Sequence, residues 1–225
     1  FASGLVFLPH DTALAARARE TVEVELKNAG LMLAGWRQVP IDPSVCGEQA
    51  LATMPAISQL YVNAGEDLDF GALERQLFQA RRRAEIALAD IADFYIVSLS
   101  PHVMAYKGMM MPEHLAGFFL DLARPDLEAS AAVFHQRFST NTMPRWPLAQ
   151  PFRLLAHNGE INSIQGNRNW MRARGPRFRS PLLDFRELQP VVSMTGSDSQ
   201  TLDNMLECLL VGGMDLLQAM RVLIP

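Results

Sequence analysis

Near the middle of the chain lie two dense polar stretches, FHQRFSTNT at residues 134–142 and LAHNGEIN at residues 155–162. Neither has the spacing of an amphipathic helix, and each follows an apolar run. The pattern predicts two strands, over residues 131–138 and 153–157, that end in clusters of hydrogen-bonding side chains. Such clusters suit a site that binds a small polar ligand and stabilises developing negative charge.

Composition places the chain among ordinary globular proteins and limits its partners. Of 225 residues, 49% are hydrophobic and 20% are charged. The net charge of −4 argues against a nucleic-acid partner, and no apolar run approaches the roughly 20 residues of a membrane span. Cys46 and Cys208 lack the spacing of a metal site, although a disulfide between them stays open. We expect no metal, nucleic-acid or membrane site.

Hydrophobic periodicity and turn residues predict the remaining elements. Apolar and β-branched runs predict strands, two of which would form a hairpin through Ser100-Pro101-His102, whereas residues 115–122 fit a short helix or an irregular segment. Strands paired in hairpins and alternating with amphipathic helices favour an α+β layered protein over a βαβ series. The predicted strands are 4–8, 31–39, 57–63, 94–100 and 103–107, and the predicted helices are 12–28, 69–89, 161–174, 199–210 and 215–223.

The two central stretches closely resemble a known family. HQRFSTNT followed by WPLAQPFRLLAHNGEIN, residues 146–162, resembles class II glutamine amidotransferases, the N-terminal-nucleophile type, and glutamate synthase large chains in particular. WRQVP at residues 36–40 and DFYI at residues 93–96 support the resemblance, which covers essentially the whole chain. It implies a single amidotransferase domain over residues 1–225, with a four-layer αββα sandwich.

The resemblance also implies a nucleophilic cysteine at the mature N-terminus, where this sequence has Phe1. We therefore expect the sequence to lack the first segment of the domain, and residues 1–225 alone to be inactive. In the family the α-amino group of the nucleophile acts as the base, so His135 and His157 are interpreted as structural. Cys46, in a loop, and Cys208, on the apolar face of a predicted helix, are interpreted as inert.

The implied function is that of the glutaminase domain of a glutamate synthase. Glutamine would be hydrolysed to glutamate and ammonia, and the ammonia would serve the reductive amination of 2-oxoglutarate elsewhere in the protein. The expected partners are glutamine, the synthase domains of the same polypeptide and a small reductase subunit, in the cytoplasm. FMN and an iron–sulfur cluster are implied for the intact protein, with no cofactor in this segment. The alternatives are a catalytically silent glutamine-binding module and another class II amidotransferase, such as an amide-forming synthetase.

Asn158-Gly159 carries the predicted catalytic chemistry. An Asn side-chain NH₂ and a Gly backbone N–H can converge on one oxygen, and the resemblance assigns them to the oxyanion hole. The same dipeptide is also the strongest short signal for a type I′ hairpin turn.

Arg137 and Asp198 are the predicted anchors for the substrate. The guanidinium of Arg137 matches a carboxylate with two parallel hydrogen bonds, although a surface salt bridge is the alternative. Its flanking residues Phe134 and Phe138 predict a partly buried position. Asp198 is a candidate helix N-cap, and the resemblance assigns it to the glutamine α-ammonium.

Thr140 and Asn141 complete the predicted set of substrate-binding residues. They follow Arg137 in the first stretch, where they would contact the ligand or fix the loop. Ordinary turn chemistry accounts for these residue types equally well.

Overall fold

A four-stranded antiparallel sheet organises the part of the chain that this computed structural model describes, residues 1–65, 68–138 and 142–223. Its order is β2-β3-β1-β4, so β1 lies inside the sheet and pairs with two neighbours. The strands are β1 (Ala2–Leu8), β2 (Met32–Gln38), β3 (Ala56–Asn63) and β4 (Tyr95–Ile96).

Aspartate side chains cap the N-termini of two helices. Asp11 accepts a hydrogen bond from the backbone of Leu14, and Asp69 accepts one from Ala72, so each satisfies an N–H that the first helical turn leaves unpaired. Gly30 follows the first helix with φ +78°, a conformation that glycine adopts without steric cost. The helices are α1 (Thr12–Asn28), α2 (Glu48–Ala52), α3 (Phe70–Ala87), α4 (Leu115–Phe118), α5 (Ile164–Arg174), α6 (Asp198–Val211) and α7 (Leu216–Leu223).

Both faces of the sheet carry apolar side chains, because alternate residues of β1 point to opposite sides. One face packs against α1 and α3, through Val6, Leu8, Val22, Leu26, Leu73 and Leu77 among others. The other face packs against α4 and irregular segments, through Leu5, Phe7, Ile57, Phe118, Phe119 and Trp146 among others. No helix in the described residues is long and apolar enough to cross a lipid bilayer.

The hairpin predicted over residues 94–107 is wrong, because serine side chains take the backbone hydrogen bonds that a strand partner would take. Within this range Tyr95–Ile96 forms a strand of the sheet and Ser100 forms an isolated antiparallel bridge with Ser3 of β1, but residues 103–107 form no strand. The Ser100 hydroxyl accepts from the backbone N–H groups of His102 and Val103, and the Ser98 hydroxyl accepts from that of Ala105. Local side-chain acceptors of this kind compete with the strand ladder.

The strands predicted over 131–138 and 153–157 are also wrong. The first segment is mostly exposed and pairs with no strand of the described chain, and the backbone of the second is held by side chains. The mixture of helices with an antiparallel sheet nevertheless confirms the α+β class. The described residues form one sheet, so the four-layer arrangement stays a prediction.

A cluster of ion pairs joins α3 to α6 and to the chain before the second polar stretch. The carboxylate of Glu85 contacts Arg81 at 2.8 Å, Arg82 at 2.5 Å and Arg153 at 3.0 Å, and Arg81 also contacts Glu207 at 2.5 Å. Burial alone would raise the pKa of Glu85, but the three guanidinium groups lower it to about 2. The cluster therefore keeps Glu85 ionised at neutral pH.

We expect Glu85→Gln to lower the free energy of unfolding at pH 7 by about 3–5 kcal/mol, because three guanidinium groups lose their shared carboxylate. The pKa of folded Glu85, about 2, lies below its ordinary value of 4.5, so its stabilisation is complete above about pH 4.5 and is lost as the pH falls toward 2. Denaturant unfolding at pH 7 and pH 3 should show the difference between wild type and variant shrinking with acid. The exposed pair of Arg17 and Asp90 provides a control, since Asp90→Asn should change stability little. An equal loss at both pH values would contradict the ion-pair explanation.

Candidate functional site

Side chains hold the backbone of the second polar stretch where a strand was predicted. The amide of Gln150 donates from Nε2 to the carbonyl of His157 at 3.0 Å, and its Oε1 accepts from the N–H of the same residue at 2.8 Å. The backbone of Phe152 donates to the carbonyl of Leu155 at 2.9 Å, closing a tight turn between the two ends. One glutamine side chain thus satisfies a residue that a neighbouring strand would otherwise pair.

Asp203 of α6 holds the middle of this turn through hydrogen bonds to its backbone. Its Oδ1 accepts from the backbone N–H groups of Leu154 at 2.8 Å and Leu155 at 3.2 Å, and the residue has no exposed surface. Burial and the nearby charge of Glu207 raise the pKa of Asp203. Sequence reasoning missed this residue. Asp203 lies three residues before Leu206, on the apolar face of the predicted helix, and an acidic side chain on such a face indicates a buried polar contact.

Asn158 and Gly159 follow the turn and are exposed. A type I′ turn needs positive φ at both central residues. Among the described residues only Gly30, Gly35 and Gly213 have positive φ, so the hairpin-turn alternative is wrong.

The side chains around this dipeptide restrict what can replace it. The Asn158 Oδ1 lies 3.0 Å from Nε2 of His135, in the first polar stretch. A Cβ at Gly159 would lie 2.8 Å from Nε2 of His157, so glycine is the residue that fits without moving that ring. The ring of His157 is itself held, with Nδ1 at 3.1 Å from the hydroxyl of Ser199.

Asp198 joins the second polar stretch to the start of α6. Its Oδ2 accepts from the backbone of Ile161 at 2.8 Å, and its Oδ1 accepts from the backbone of Ser199 at 2.7 Å. Although burial opposes it, these N–H donors lower the pKa of Asp198 below its ordinary value. The N-cap of α6 is Ser197, whose side chain accepts from the backbone of Gln200, so the cap alternative for Asp198 is wrong.

Arg137 is more exposed than its aromatic neighbours predicted. Both Arg137 and Phe134 are exposed, the latter at 79%, so the expected partial burial is wrong. No described carboxylate forms an ion pair with Arg137. The side chain lies beside a cavity of about 300 Å³ that His135, Lys107 and Gln150 also line.

The structure thus brings three of the predicted segments together. His135 connects the first polar stretch to Asn158, and Asp198 connects the second stretch to α6. Thr140 and Asn141 lie outside the described residues.

The sequence of the whole chain, residues 1–225, matches the family model for class II glutamine amidotransferases. The chain belongs to that family. It is 43% identical over 229 residues to the NADPH glutamate synthase large chain of Azospirillum brasilense, a match that covers 100% of this chain and 15% of that protein. It is 42% identical over 227 residues to the chloroplastic ferredoxin-dependent glutamate synthase of Oryza sativa, covering 99% of this chain and 14% of the relative. It is also 42% identical over 225 residues to the ferredoxin-dependent glutamate synthase 2 of Synechocystis, and this match covers 99% of this chain and 14% of that protein.

These relatives confirm the predicted resemblance to glutamate synthases. The chain spans about one seventh of the length of the curated relatives it matches. Two electron donors, NADPH and ferredoxin, are named among relatives of nearly equal identity.

The two cysteines of this class II amidotransferase chain are both unpaired thiols. Burial raises the pKa of Cys46, and burial together with the charge of Glu207 raises the pKa of Cys208 to about 12. Both thiols are therefore protonated at neutral pH, in agreement with the interpretation that neither is a nucleophile. Within the described ranges no three His, Cys, Asp or Glu side chains come together to hold a metal ion.

Lys107 is a buried basic residue that sequence reasoning missed. Its ammonium donates to the carbonyl of Pro147 at 2.8 Å and lies 4.8 Å from the ring centre of Tyr95 and 4.6 Å from that of Phe152. Burial and the positive charge of Arg153 lower its pKa well below the ordinary value. Its two aromatic neighbours partly offset the cost of burying the charge. Lys107 also lines the cavity beside Arg137.

We expect Asp203→Ala to lower the free energy of unfolding by about 1–3 kcal/mol, because two buried N–H groups lose their acceptor. Asp203→Asn should cost less, since its amide oxygen can replace Oδ1. The other carboxylate oxygen, Oδ2, has no hydrogen-bond partner in the described part of the chain. Denaturant unfolding of both variants measures the difference. Equal losses for Ala and Asn would show that the carboxylate charge matters and not the acceptor.

Proposed function

We propose that residues 1–225 belong to a single amidotransferase domain, which in the intact polypeptide is the glutaminase domain of a glutamate synthase. The domain would hydrolyse glutamine to glutamate and ammonia, and the ammonia would be used for the reductive amination of 2-oxoglutarate elsewhere in the same polypeptide. Membership of the class II family and the glutamate synthase relatives support this proposal.

The observation that carries the proposal is the joining of the second polar stretch to the two other predicted substrate-binding segments. The hydrogen bond between Asn158 and His135 brings it to the chain that bears Arg137, and the hydrogen bond from Ile161 to Asp198 brings it to α6. Glutamine has an amide, a carboxylate and an ammonium, so a glutaminase site needs an oxyanion donor, a cation and an anion within one small region. Asn158, Arg137 and Asp198 supply these three groups.

Each proposed role follows from the chemistry of its side chain. When the nucleophile attacks the side-chain amide of glutamine, the carbonyl oxygen becomes an oxyanion, which the Asn158 amide N–H and the Gly159 backbone N–H would stabilise. Arg137 would bind the α-carboxylate through two parallel hydrogen bonds. Asp198, kept ionised by its lowered pKa, would bind the α-ammonium. The roles of Thr140 and Asn141 in binding glutamine rest on the resemblance alone.

The finer features of the fold and of the whole enzyme are proposals as well. The second face of the sheet carries Leu5, Phe7 and Ile57 and is apolar too, as the four-layer sandwich requires of a sheet that packs on both faces. FMN and an iron–sulfur cluster are proposed for the synthase portion. The two isolated cysteines of this segment do not fit the four thiolate ligands of a cluster. A small reductase subunit and a cytoplasmic location stay predictions, and the rice relative is named a chloroplast protein.

We expect Asn158→Ala in the intact polypeptide to lower kcat for glutamine by about 10²–10³, the usual effect of removing one oxyanion donor. KM should change less than kcat, because the contact strengthens only as the charge develops. Steady-state kinetics measures both values, and thermal unfolding should shift only slightly because the residue is exposed. Asn158→Asp is the matched variant and should be equally damaging, since a carboxylate offers no donor. Normal turnover by a folded but less stable variant would make Asn158 a structural residue.

We expect Arg137→Lys to raise KM for glutamine, because a single ammonium cannot reproduce the bidentate contact of a guanidinium. Synthesis of glutamate from added free ammonia provides the control, since it bypasses the amidotransferase site. The ratio of glutamine-dependent to ammonia-dependent synthesis should therefore fall. If both rates fell equally, Arg137 would support the fold instead of the substrate.

A further inference from the structure

His135 contacts both the substrate-binding segment and the proposed oxyanion donor. Its Nδ1 lies 3.0 Å from the backbone nitrogen of Arg137, and its Nε2 lies 3.0 Å from Oδ1 of Asn158. The ring is half-buried, whereas Arg137 and Asn158 are exposed. One imidazole thus connects two polar stretches that residues 143–154 separate in the chain.

The backbone contact decides which ring nitrogen carries the proton. A backbone N–H can only donate, so Nδ1 of His135 must accept from Arg137. In the neutral ring the hydrogen is then on Nε2, and Nε2 donates to Asn158 Oδ1. This donor fixes the amide oxygen of Asn158 toward the ring and therefore turns its NH₂ group away from it.

Orientation of the amide matters because its two ends have opposite electrostatic effects. The oxygen and nitrogen of an Asn amide have nearly the same shape, and the torsion that exchanges them has two broad minima. One orientation presents N–H donors to a developing oxyanion, and the other presents a carbonyl oxygen that repels it. An exposed Asn without a fixed partner would populate both orientations.

We infer that His135 is a positioning residue that holds the Asn158 amide with its NH₂ group directed toward the reacting oxygen. This inference rests on the proposed glutaminase function. His135 contacts no substrate atom in this role and acts through Asn158 alone. The same ring accepts a hydrogen bond from the backbone of Arg137. It therefore positions both the oxyanion donor Asn158 and the segment that carries the carboxylate-binding Arg137.

Two substitutions separate the two contacts of the ring. Gln places an amide nitrogen near the position of Nε2, so His135→Gln can still donate to Asn158 but lacks the acceptor for Arg137. Asn places an acceptor near the position of Nδ1, so His135→Asn keeps the backbone contact but does not reach Asn158. A purely structural histidine would be replaced better by Asn, and a positioning histidine would be replaced better by Gln.

We expect His135→Asn in the intact polypeptide to lower kcat for glutamine by about tenfold, less than full removal of the donor costs, with KM within about twofold of wild type. His135→Gln should restore kcat to within about threefold of wild type. In the Asn158→Ala background His135→Asn should cause no further loss of kcat, because the amide that it orients is gone. Thermal unfolding of each variant measures any separate effect on stability.

The outcomes distinguish this inference from the proposed function. If wild type does not hydrolyse glutamine, the proposed function fails and the inference falls with it. If wild type hydrolyses glutamine and His135→Asn matches its kcat, the positioning role alone is overturned. Equal losses for Asn and Gln, accompanied by a lowered unfolding temperature, would likewise overturn it and leave His135 as a structural residue.

Discussion

The segment from Gln150 to Ile161 has to satisfy its backbone hydrogen bonds without belonging to a strand or helix, and the candidate site depends on how it does so. Three side chains supply the missing partners. Gln150 pairs with both backbone groups of His157, Asp203 accepts from the turn before it, and Asp198 accepts from Ile161 after it. Because these acceptors come from fixed positions, an irregular loop can present Asn158 in one conformation.

The segment from Gln150 to Ile161 is also joined to the cluster of ion pairs between α3 and α6. Arg153, at the start of the loop, contacts Glu85 of α3 and donates to the carbonyl of Ile96 at 2.5 Å, so it reaches the edge of the sheet. Glu207 lies one helical turn after Asp203 on α6 and contacts Arg81 of α3. Charges buried in this way are costly unless they are paired, and their pairing constrains how α3, α6 and the loop fit together. The position of the candidate site therefore follows from contacts made far from any substrate.

Sequence reasoning proposed the candidate site from its residue types and missed the residues that support it. Asn158, Gly159, Arg137 and Asp198 were predicted from two polar stretches and a helix start, and the structure brings the segments that carry them together. Gln150 went unnoticed because its partners are backbone groups, which leave no trace in a sequence, whereas Asp203 could have been found as an acidic residue on the apolar face of a helix. Strands were predicted at both polar stretches because apolar runs lead into them, yet the first segment is mostly exposed and side chains hold the backbone of the second in place of a neighbouring strand.

By itself the sequence determined the α+β class, the helices α1, α3, α5, α6 and α7 and the first three strands, because hydrophobic periodicity and turn residues are local properties. Its two polar stretches also determined the family. Only the tertiary structure decided that Asn158-Gly159 is not a type I′ turn and that Ser197, not Asp198, caps α6. It alone decided that His135 faces the Asn158 amide, because a hydrogen bond between residues distant in the chain depends on how the intervening segments pack.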